Sequence, residues 1–429
     1  MNLNNNKIAV IGLGYVGLPL SVEFSKKYQV LGYDIDIDRI KNLNQGIDKT
    51  NEVSKKELLL VKKNFHINSN KGIKFTNRKE DLKNFNIYII TVPTPIDKFK
   101  APDLSILFET SKMIGKVIKK NDIIIYESTV YPGCTEEDCI PILEKYSGLK
   151  LNKDFYCGYS PERINPGDKI YTLTKIKKVT SGSNRQSAIF IDNLYKSIIS
   201  AGTYMAPSIK VAESSKAIEN AQRDLNISYV NELALIFDKL GIDTNDVIEA
   251  ASTKWNFMKF KPGLVGGHCI GVDPYYLVHK AESKGYSPEV IKSGRRVNDN
   301  MGIFIASKLI KNLIERGIKL KGSRVLILGI TFKENCPDIR NSKVIDIYNE
   351  LKEFGLEVDV NDPHAYETET KKTFGIKLCN DLSKYEAIIL AVSHDEFLSL
   401  DIENLKKDSK TIVFDVKAFL DRDQVDLRL

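Results

Sequence analysis

The chain is 429 residues long and 42% hydrophobic, enough for two or three domains of roughly 150 residues, each with its own core. Its 63 Lys and Arg against 56 Asp and Glu leave a formal charge of +7, spread among acids with no basic block; this gives nucleic-acid binding no support and suits a diphosphate-bearing substrate. Six cysteines are too sparse for a disulfide scaffold, no window approaches the roughly 18 apolar residues of a membrane span, and glycines break the amino-terminal apolar run too early for a secretory leader, so a cytoplasmic protein without a membrane partner is expected.

Residues 7–12 (KIAVIG) read as a buried strand running into a helix over GLGYVGLPLSVEFSKKY, and VLGYDID supplies a second strand, together one βαβ unit. Apolar runs at 87–92, 123–126 and 155–159 alternate with polar or helical stretches, as a parallel sheet with helical crossovers requires. From Pro207 the pattern becomes a long helix over about 208–241, with Val211, Ile218, Leu225, Leu233 and Ile236 on an apolar stripe; with the helical 285–316 region it reads as a connector that also packs a second subunit. RVLILG (324–329), a helix near 341–354, LEVDVNDP, AIILAV (387–392) and TIVFDV (411–416) then repeat the opening pattern. The expected architecture is α/β, two Rossmann-like doubly wound domains joined by a long central helix, with boundaries at 1–205, 206–316 and 317–429.

Gly12, Gly14 and Gly17 form G-x-G-x-x-G, with Tyr15 and Val16 between the last two, at a strand-to-helix turn where bare backbone approaches a pyrophosphate. The next strand ends at Asp34, where a carboxylate can take hydrogen bonds from an adenosine ribose and would repel a 2′-phosphate, which favours NAD. Arg39 either reaches the adenosine side or is simply solvated. TVPTP (91–95), with Thr94, and YESTVYPG (126–133), with Ser128 and Thr129, follow apolar strands at the end where open α/β sheets bind ligands.

KPGLVGGHCIGVDPYYL (261–277) is the densest segment: Gly263, Gly266, Gly267 and Gly271 keep the backbone thin around His268, Cys269 and Asp273. A Cys269 thiolate can add to an aldehyde, giving a thiohemiacetal that loses hydride to become a thioester, which water cleaves; a packing thiol is the competing reading. His268, Cys269 and Asp273, or Cys134, Cys139 and Cys157, could ligate a metal, but with no C-x-x-C pair or H-E-x-x-H helix no metal is expected. His66, His279, His364 and His394 show no ligand spacing and read as surface or packing residues. On the long helix Lys216 and Asn220 stand at i and i+4, one face, where an ammonium and a carboxamide can stabilise an oxyanion or merely be solvated.

GLGYVG, TVPTP, STVYPG, SPER, the K-x-x-x-N helix, GGHCIGVDP and FKENCPDIRNS, in that order over nearly the whole chain, resemble the UDP-glucose/GDP-mannose dehydrogenase family. The resemblance implies an amino-terminal NAD domain, a carboxy-terminal UDP-binding domain and a dimerising central helix. It implies Cys269 as nucleophile, Lys216 and Asn220 as oxyanion stabilisers, and Asp273 as organiser of the catalytic water with Thr129 near it. Glu162 in SPER matches an acid of the proton transfers, Lys333 a substrate-phosphate contact, and Arg340 a residue reaching NAD from the second domain.

Three positions depart from UDP-glucose members: Pro166 replaces a second acid, Val272 a lysine before the catalytic aspartate, and DVK a late D-G-R, so Lys417 stands where an arginine would fork onto phosphate. GGHCIGVDPYYL and TKWNFMKFKPG are closer to the UDP-N-acetylhexosamine 6-dehydrogenases of surface-polysaccharide synthesis, which implies UDP-N-acetylglucosamine or UDP-N-acetylgalactosamine as substrate. Trp255, Phe257, Lys259 and Lys261 are then expected along the nucleotide pocket, beside Gly263. UDP-glucose oxidation and a non-catalytic NAD- and UDP-sugar-binding scaffold are the alternatives. A two-electron hydroxyacid dehydrogenase would have no use for Cys269.

Overall fold

A computed structural model describes residues 6–65, 70–97, 99–164, 170–267, 270–380 and 382–429. His66, Pro166, His268 and Cys269 lie outside the described residues. The chain folds as two compact units, Met1–Glu219 with Tyr275–Lys284, and Asn220–Pro274 with Gly285–Leu429.

The first unit opens with β1 (Lys7–Ile11), α1 (Gly17–Ser25), β2 (Gln29–Tyr33), α2 (Ile37–Asn44), α3 (Lys55–Lys63) and β3 (Gly72–Thr76). It continues through β4 (Ile87–Ile90), α4 (Ser105–Gly115), β5 (Ile123–Tyr126), α5 (Ile140–Ser147), β6 (Tyr156–Tyr159), β7 (Lys178–Thr180), α6 (Arg185–Lys196) and β8 (Thr203–Met205). The strands at 7–12, 87–92, 123–126 and 155–159 appear as expected, and their near-continuous Ile, Val and Tyr content is buried because helices cover both faces of a parallel sheet. The order is β3-β2-β1-β4-β5-β6, all parallel. The chain therefore reverses direction between β1 and β4, and the loops after these strands part to leave a crevice at their carboxyl ends. β3 escaped the sequence reading because it is an edge strand whose GIKFT carries an exposed Lys74. β7 and β8 pair apart from the main sheet, and Lys178 makes the former look polar.

α7 (Ile209–Leu240), the long helix anticipated from the apolar stripe, starts in the first unit and ends in the second. α8 (Thr244–Ser252), α9 (Asp273–Ser283) and α10 (Glu289–Glu315) follow. The second unit then builds β9 (Arg324–Leu328), α11 (Val344–Glu353), β10 (Glu357–Asn361), α12 (Glu367–Phe374), β11 (Ala387–Leu390), β12 (Ile412–Asp415) and β13 (Leu427–Arg428). The sheet order β10-β9-β11-β12-β13 repeats the reversal, now between β9 and β11.

Within the second unit α7 and α10 meet through buried polar groups. Gly294 permits the approach, since a Cβ there would stand 2.7 Å from Leu225 Cδ2. Arg295 Nη1 donates to Asp224 Oδ1 at 2.5 Å, Asn298 Nδ2 to the same oxygen at 2.7 Å, and Asn231 Nδ2 to Asn298 Oδ1 at 2.8 Å. Arg295→Met removes the cation and leaves the Asp224 carboxylate in apolar surroundings. The expected loss is about 3–5 kcal/mol of stability, read as a lower urea midpoint; an unchanged midpoint would mean Asp224 is not charged in the folded protein.

Candidate active site

β1 passes to α1 through the glycine turn. Gly12 has φ +95°, and a Cβ there would sit 3.0 Å from the Thr91 carbonyl oxygen; at Gly17 it would lie 1.9 Å from the Gly12 carbonyl oxygen. These two glycines are demanded by packing. At Gly14 an added Cβ meets nothing within 4 Å, so there the missing side chain serves no neighbour in the protein and leaves the backbone open to a ligand. No side chain caps α1, whose N-cap is Val16; Leu18 N already donates to the Gly14 carbonyl at 3.2 Å and Pro19 carries no N–H, so an anion here would meet the amides of the glycine turn more than those of the helix. Asp34 follows β2 and accepts from Leu13 N at 2.7 Å and Asp36 N at 2.9 Å, which fixes the carboxylate beside the turn. Tyr15 is half-buried on the same turn. These residues suit a dinucleotide. Arg39 Nε donates to the Leu13 carbonyl at 2.9 Å and its Nη1 to Asp48 at 2.8 Å, bracing the same turn.

The loops after β4 and β5 are tied together at the carboxyl edge. Thr94 Oγ1 donates to the Thr129 carbonyl at 2.7 Å, Ser128 Oγ to the Val92 carbonyl at 2.6 Å, and Tyr276 OH to the Thr94 carbonyl at 2.7 Å. Next along the edge, after β6, Glu162 is buried; its Oε1 accepts from the amides of Arg163 (2.7 Å) and Ile164 (2.8 Å), and its Oε2 from Lys178 Nζ at 2.8 Å. Burial opposes ionisation, but Lys178 and the two amides outweigh it and hold this carboxyl below its ordinary value. Lys178 also binds Glu127; neither residue was picked out from the sequence.

Lys216 is buried on α7. One turn earlier Glu213, also missed, accepts from Gly133 N (2.5 Å) and Thr135 N (2.9 Å), anchoring the turn that follows Thr129. Burial pushes its carboxyl up to about 7 against the pull of those amides.

In the second unit Asn220 Nδ2 donates to Asp273 Oδ2 at 2.5 Å, which joins two of the expected site residues. Gly263 is clamped by the buried Asn231, whose Oδ1 accepts from Gly263 N at 2.8 Å and whose Nδ2 donates to Gly263 O at 3.0 Å. A Cβ would fall 2.9 Å from Lys417 Nζ at Gly263, 2.7 Å from the Asn341 carbonyl oxygen at Gly266 and 2.7 Å from Phe332 Cδ2 at Gly267. Three of the four glycines that the sequence presents as clearing space around Cys269 thus also seat the segment against the loops that leave β9 and β12; only Gly271 is uncrowded.

Lys417 is half-buried; burial and the neighbouring Lys261 push its ammonium down while Glu334 raises it. Lys333 lies 5.6 Å from the centroid of the Phe332 ring, and Lys261 is exposed. Arg340 forks onto Asp338, Nε to Oδ1 at 2.8 Å and Nη2 to Oδ2 at 2.5 Å. Trp255 is 92% exposed and Lys259 pairs with Glu249, so these two do not line a pocket within their unit; Phe257 is at its surface too. Asp362, after β10, accepts from Ile330 N at 2.7 Å, Thr331 N at 3.1 Å and His394 Nε2 at 3.1 Å, fastening the loop after β9 to that after β11. Among the described residues no three His, Cys, Asp or Glu side chains converge as a metal site needs.

The models of the UDP-glucose/GDP-mannose dehydrogenase family match residues 6–199 as its NAD binding domain, 210–300 as its central domain and 326–422 as its UDP binding domain. The chain is 56% identical over 427 residues to a UDP-N-acetyl-D-glucosamine 6-dehydrogenase of Pseudomonas aeruginosa, covering 99% of both. It is 54% identical to an enzyme of the same name from Salmonella typhi, covering 99% of this chain and 98% of that one. Among solved structures a UDP-D-ManNAc dehydrogenase from Pyrococcus horikoshii superposes with a TM-score of 0.86 at 30% identity, covering 98% of each chain.

Two tests follow from these contacts. Asp34→Ala deletes charge-assisted bonds to a ribose worth about 1.5 kcal/mol or more; KM for NAD is expected to rise about tenfold or more, with NADP gaining on NAD, and an unchanged KM would confine Asp34 to holding the turn. For Asp362, burial raises the carboxyl but His394 and the amides bring it down to about 2 from 3.8. A depressed acid stabilises above its unfolded value and loses that contribution as pH falls through the folded one, here from 3.8 towards 2. Asp362→Asn is therefore expected to cost about 2 kcal/mol at neutral pH, with the gap in urea midpoint closing by pH 2; a gap independent of pH would refute the ionic account.

Proposed function

We propose, from the premise that this chain belongs to the UDP-glucose/GDP-mannose dehydrogenase family, that it oxidises the C6 alcohol of a UDP-N-acetylhexosamine to the uronate, in four electrons, through a thioester on Cys269. The chain is an NAD-dependent nucleotide-sugar dehydrogenase; the names of its relatives support UDP-N-acetylglucosamine, with the C4 epimer as the other N-acetylhexosamine. One observation carries the reading: the glycine segment leading to Cys269 is seated on the carboxyl edge of the second sheet, beside Lys417 and in the unit that holds the Asn220–Asp273 pair.

The Gly12–Gly17 turn and Asp34 would hold NAD, which would supply the hydride acceptor for both oxidations. The hydroxyl proton passes towards Glu162, the carboxylate of the proton transfers, as the C6 alkoxide forms, and the Lys216 ammonium with the Asn220 carboxamide stabilises that negative oxygen. One N–H of Asn220 is held by Asp273; its second is directed at substrate. The Cys269 thiolate adds to the resulting aldehyde, and the same two groups stabilise the thiohemiacetal oxyanion. After the second oxidation Asp273 and Thr129 orient the water that cleaves the thioester. Glu162 serves the proton transfers as a fixed carboxylate. Lys261, Lys333 and Lys417 meet the diphosphate, Gly263 lets the nucleotide approach, and Arg340 turns to NAD.

The reading includes a cytoplasmic homodimer supplying surface-polysaccharide precursors, with domains at 1–205, 206–316 and 317–429. The exposed Val211, Ile218 and Ile236 on α7 favour a second copy as partner. No helix of the described residues is long and apolar enough to cross a membrane.

Steady-state assays with UDP-N-acetylglucosamine, UDP-N-acetylgalactosamine and UDP-glucose test this. About two NADH per sugar and a uronic acid product are expected, with Cys269→Ala lowering uronate formation about a thousandfold or more. One NADH per sugar with free aldehyde, or wild-type turnover by the variant, would overturn the thioester; preference for UDP-glucose would overturn the substrate; binding without turnover would leave a scaffold.

A further inference from the structure

At the carboxyl edge of the first sheet lies a charged cluster of which the scheme above uses only Glu162. Lys178, the first residue of β7, places its ammonium between two buried carboxylates, 2.8 Å from Glu162 Oε2 and 2.6 Å from Glu127 Oε2. Tyr195 of α6 donates its hydroxyl to the other oxygen of Glu127, and the Lys178 ammonium stands 5.4 Å from the centroid of the same Tyr195 ring. Facing Glu162 are therefore Lys178 from β7, Glu127 directly after β5 and, beyond it, Tyr195 from α6. Arg163, next in sequence, turns instead to Glu219 of α7, with Nη2 at 2.8 Å from Oε1.

Two carboxylates and one ammonium carry one negative charge in excess, out of water, where a matched pair or an apolar group would be the more stable choice. The excess has a consequence for the outermost member. Glu162 reaches the edge of the sheet beside the loop of Thr129, and its two oxygens are saturated by Lys178 and two backbone amides. Its charge and direction are set by Lys178. Lys178 in turn is shared with Glu127, whose carboxyl burial pushes up, Lys178 pulling it back and Glu162 raising it further.

We propose that Lys178 and Glu127 are positioning residues for oxidation: Lys178 keeps Glu162 anionic and aimed at the carboxyl edge, and Glu127 moderates that hold by competing for the same ammonium. This rests on the reading that Glu162 serves the proton transfers. The two residues act in opposite senses on one titration, and turnover follows that titration only if Glu162 takes part in the reaction.

The experiment compares kcat/KM against pH for the wild type, Lys178→Met, Glu127→Gln and the double variant. In the wild type the acid limb lies at or below the ordinary carboxylate range. Lys178→Met removes the cation and leaves two carboxylates in mutual repulsion, so the limb is expected to climb by about one to three pH units. Glu127→Gln is expected to move it the other way, read as a higher ratio of rates at pH 4 to pH 8 than in the wild type. In the double variant the limb should return part of the way. A limb unmoved in both single variants, or moved in the same direction, overturns the proposal, and if Lys178→Met does not fold, an equal or lower ratio in Glu127→Gln does so alone. Infrared pH titration of the protonated-carboxyl stretch, assigned by its loss in Glu162→Gln, reads the same opposite shifts without turnover. A wild type that oxidises no UDP-sugar but shows those shifts would sink the function and keep the charge coupling.

Discussion

Parallel pairing of β1 with β4, and of β9 with β11, is the constraint from which the rest of each unit follows. In a parallel sheet every strand delivers its carboxyl end to the same edge, and where the strand order reverses the departing loops must separate. The first unit thus collects Gly12, Thr94, Thr129 and Glu162 on one edge although 150 residues of sequence lie between the first and the last. The second collects Phe332, Asn341 and Lys417 in the same way and seats the Gly263–Gly267 segment on them.

The two sheets also share a device and use it differently. In each, a glycine with positive φ ends the first strand, Gly12 at +95° and Gly329 at +91°, and an aspartate after the neighbouring strand accepts an amide from the turn that follows. The Asp34 carboxylate accepts from the Leu13 and Asp36 amides and is half-buried, which leaves it within reach of a ribose. Asp362 is buried under His394 and receives further amides from His364 and Ala365, so it is a structural clasp. The same residue type in the same topological place thus stands half-buried in one unit and as a buried fastener in the other.

Much of this was legible from the chain. β1, β2, β4, β5, β9 and β12 stand out as apolar runs because strands covered on both faces cannot alternate with polar residues, and α7 shows because a long helix must repeat its apolar positions every three or four residues. The edge strand β3 and the two-residue β13 did not show, since an exposed edge tolerates lysine and two residues carry no period. A side chain's type states what Arg39 or Trp255 can bind, and only the fold states its neighbours: Arg39 braces the glycine turn and Trp255 stands exposed.

Short-range spacing by itself determined the strand-and-helix succession, the glycine turn with its acid, and the family to which the ordered motifs belong. What only the tertiary structure decided was which glycines answer to packing and which to a ligand, and which charges stand together. Gly14 and Gly17 are three residues apart and identical in sequence, yet an added methyl would meet nothing at one and a carbonyl oxygen at the other. Lys178 sits 51 residues from Glu127 and 16 from Glu162. Such a triad has no period to read, because the packing of β7, outside the main sheet, against the segments that follow β5 and β6 brings its members within a hydrogen bond of one another, and not the distance along the chain.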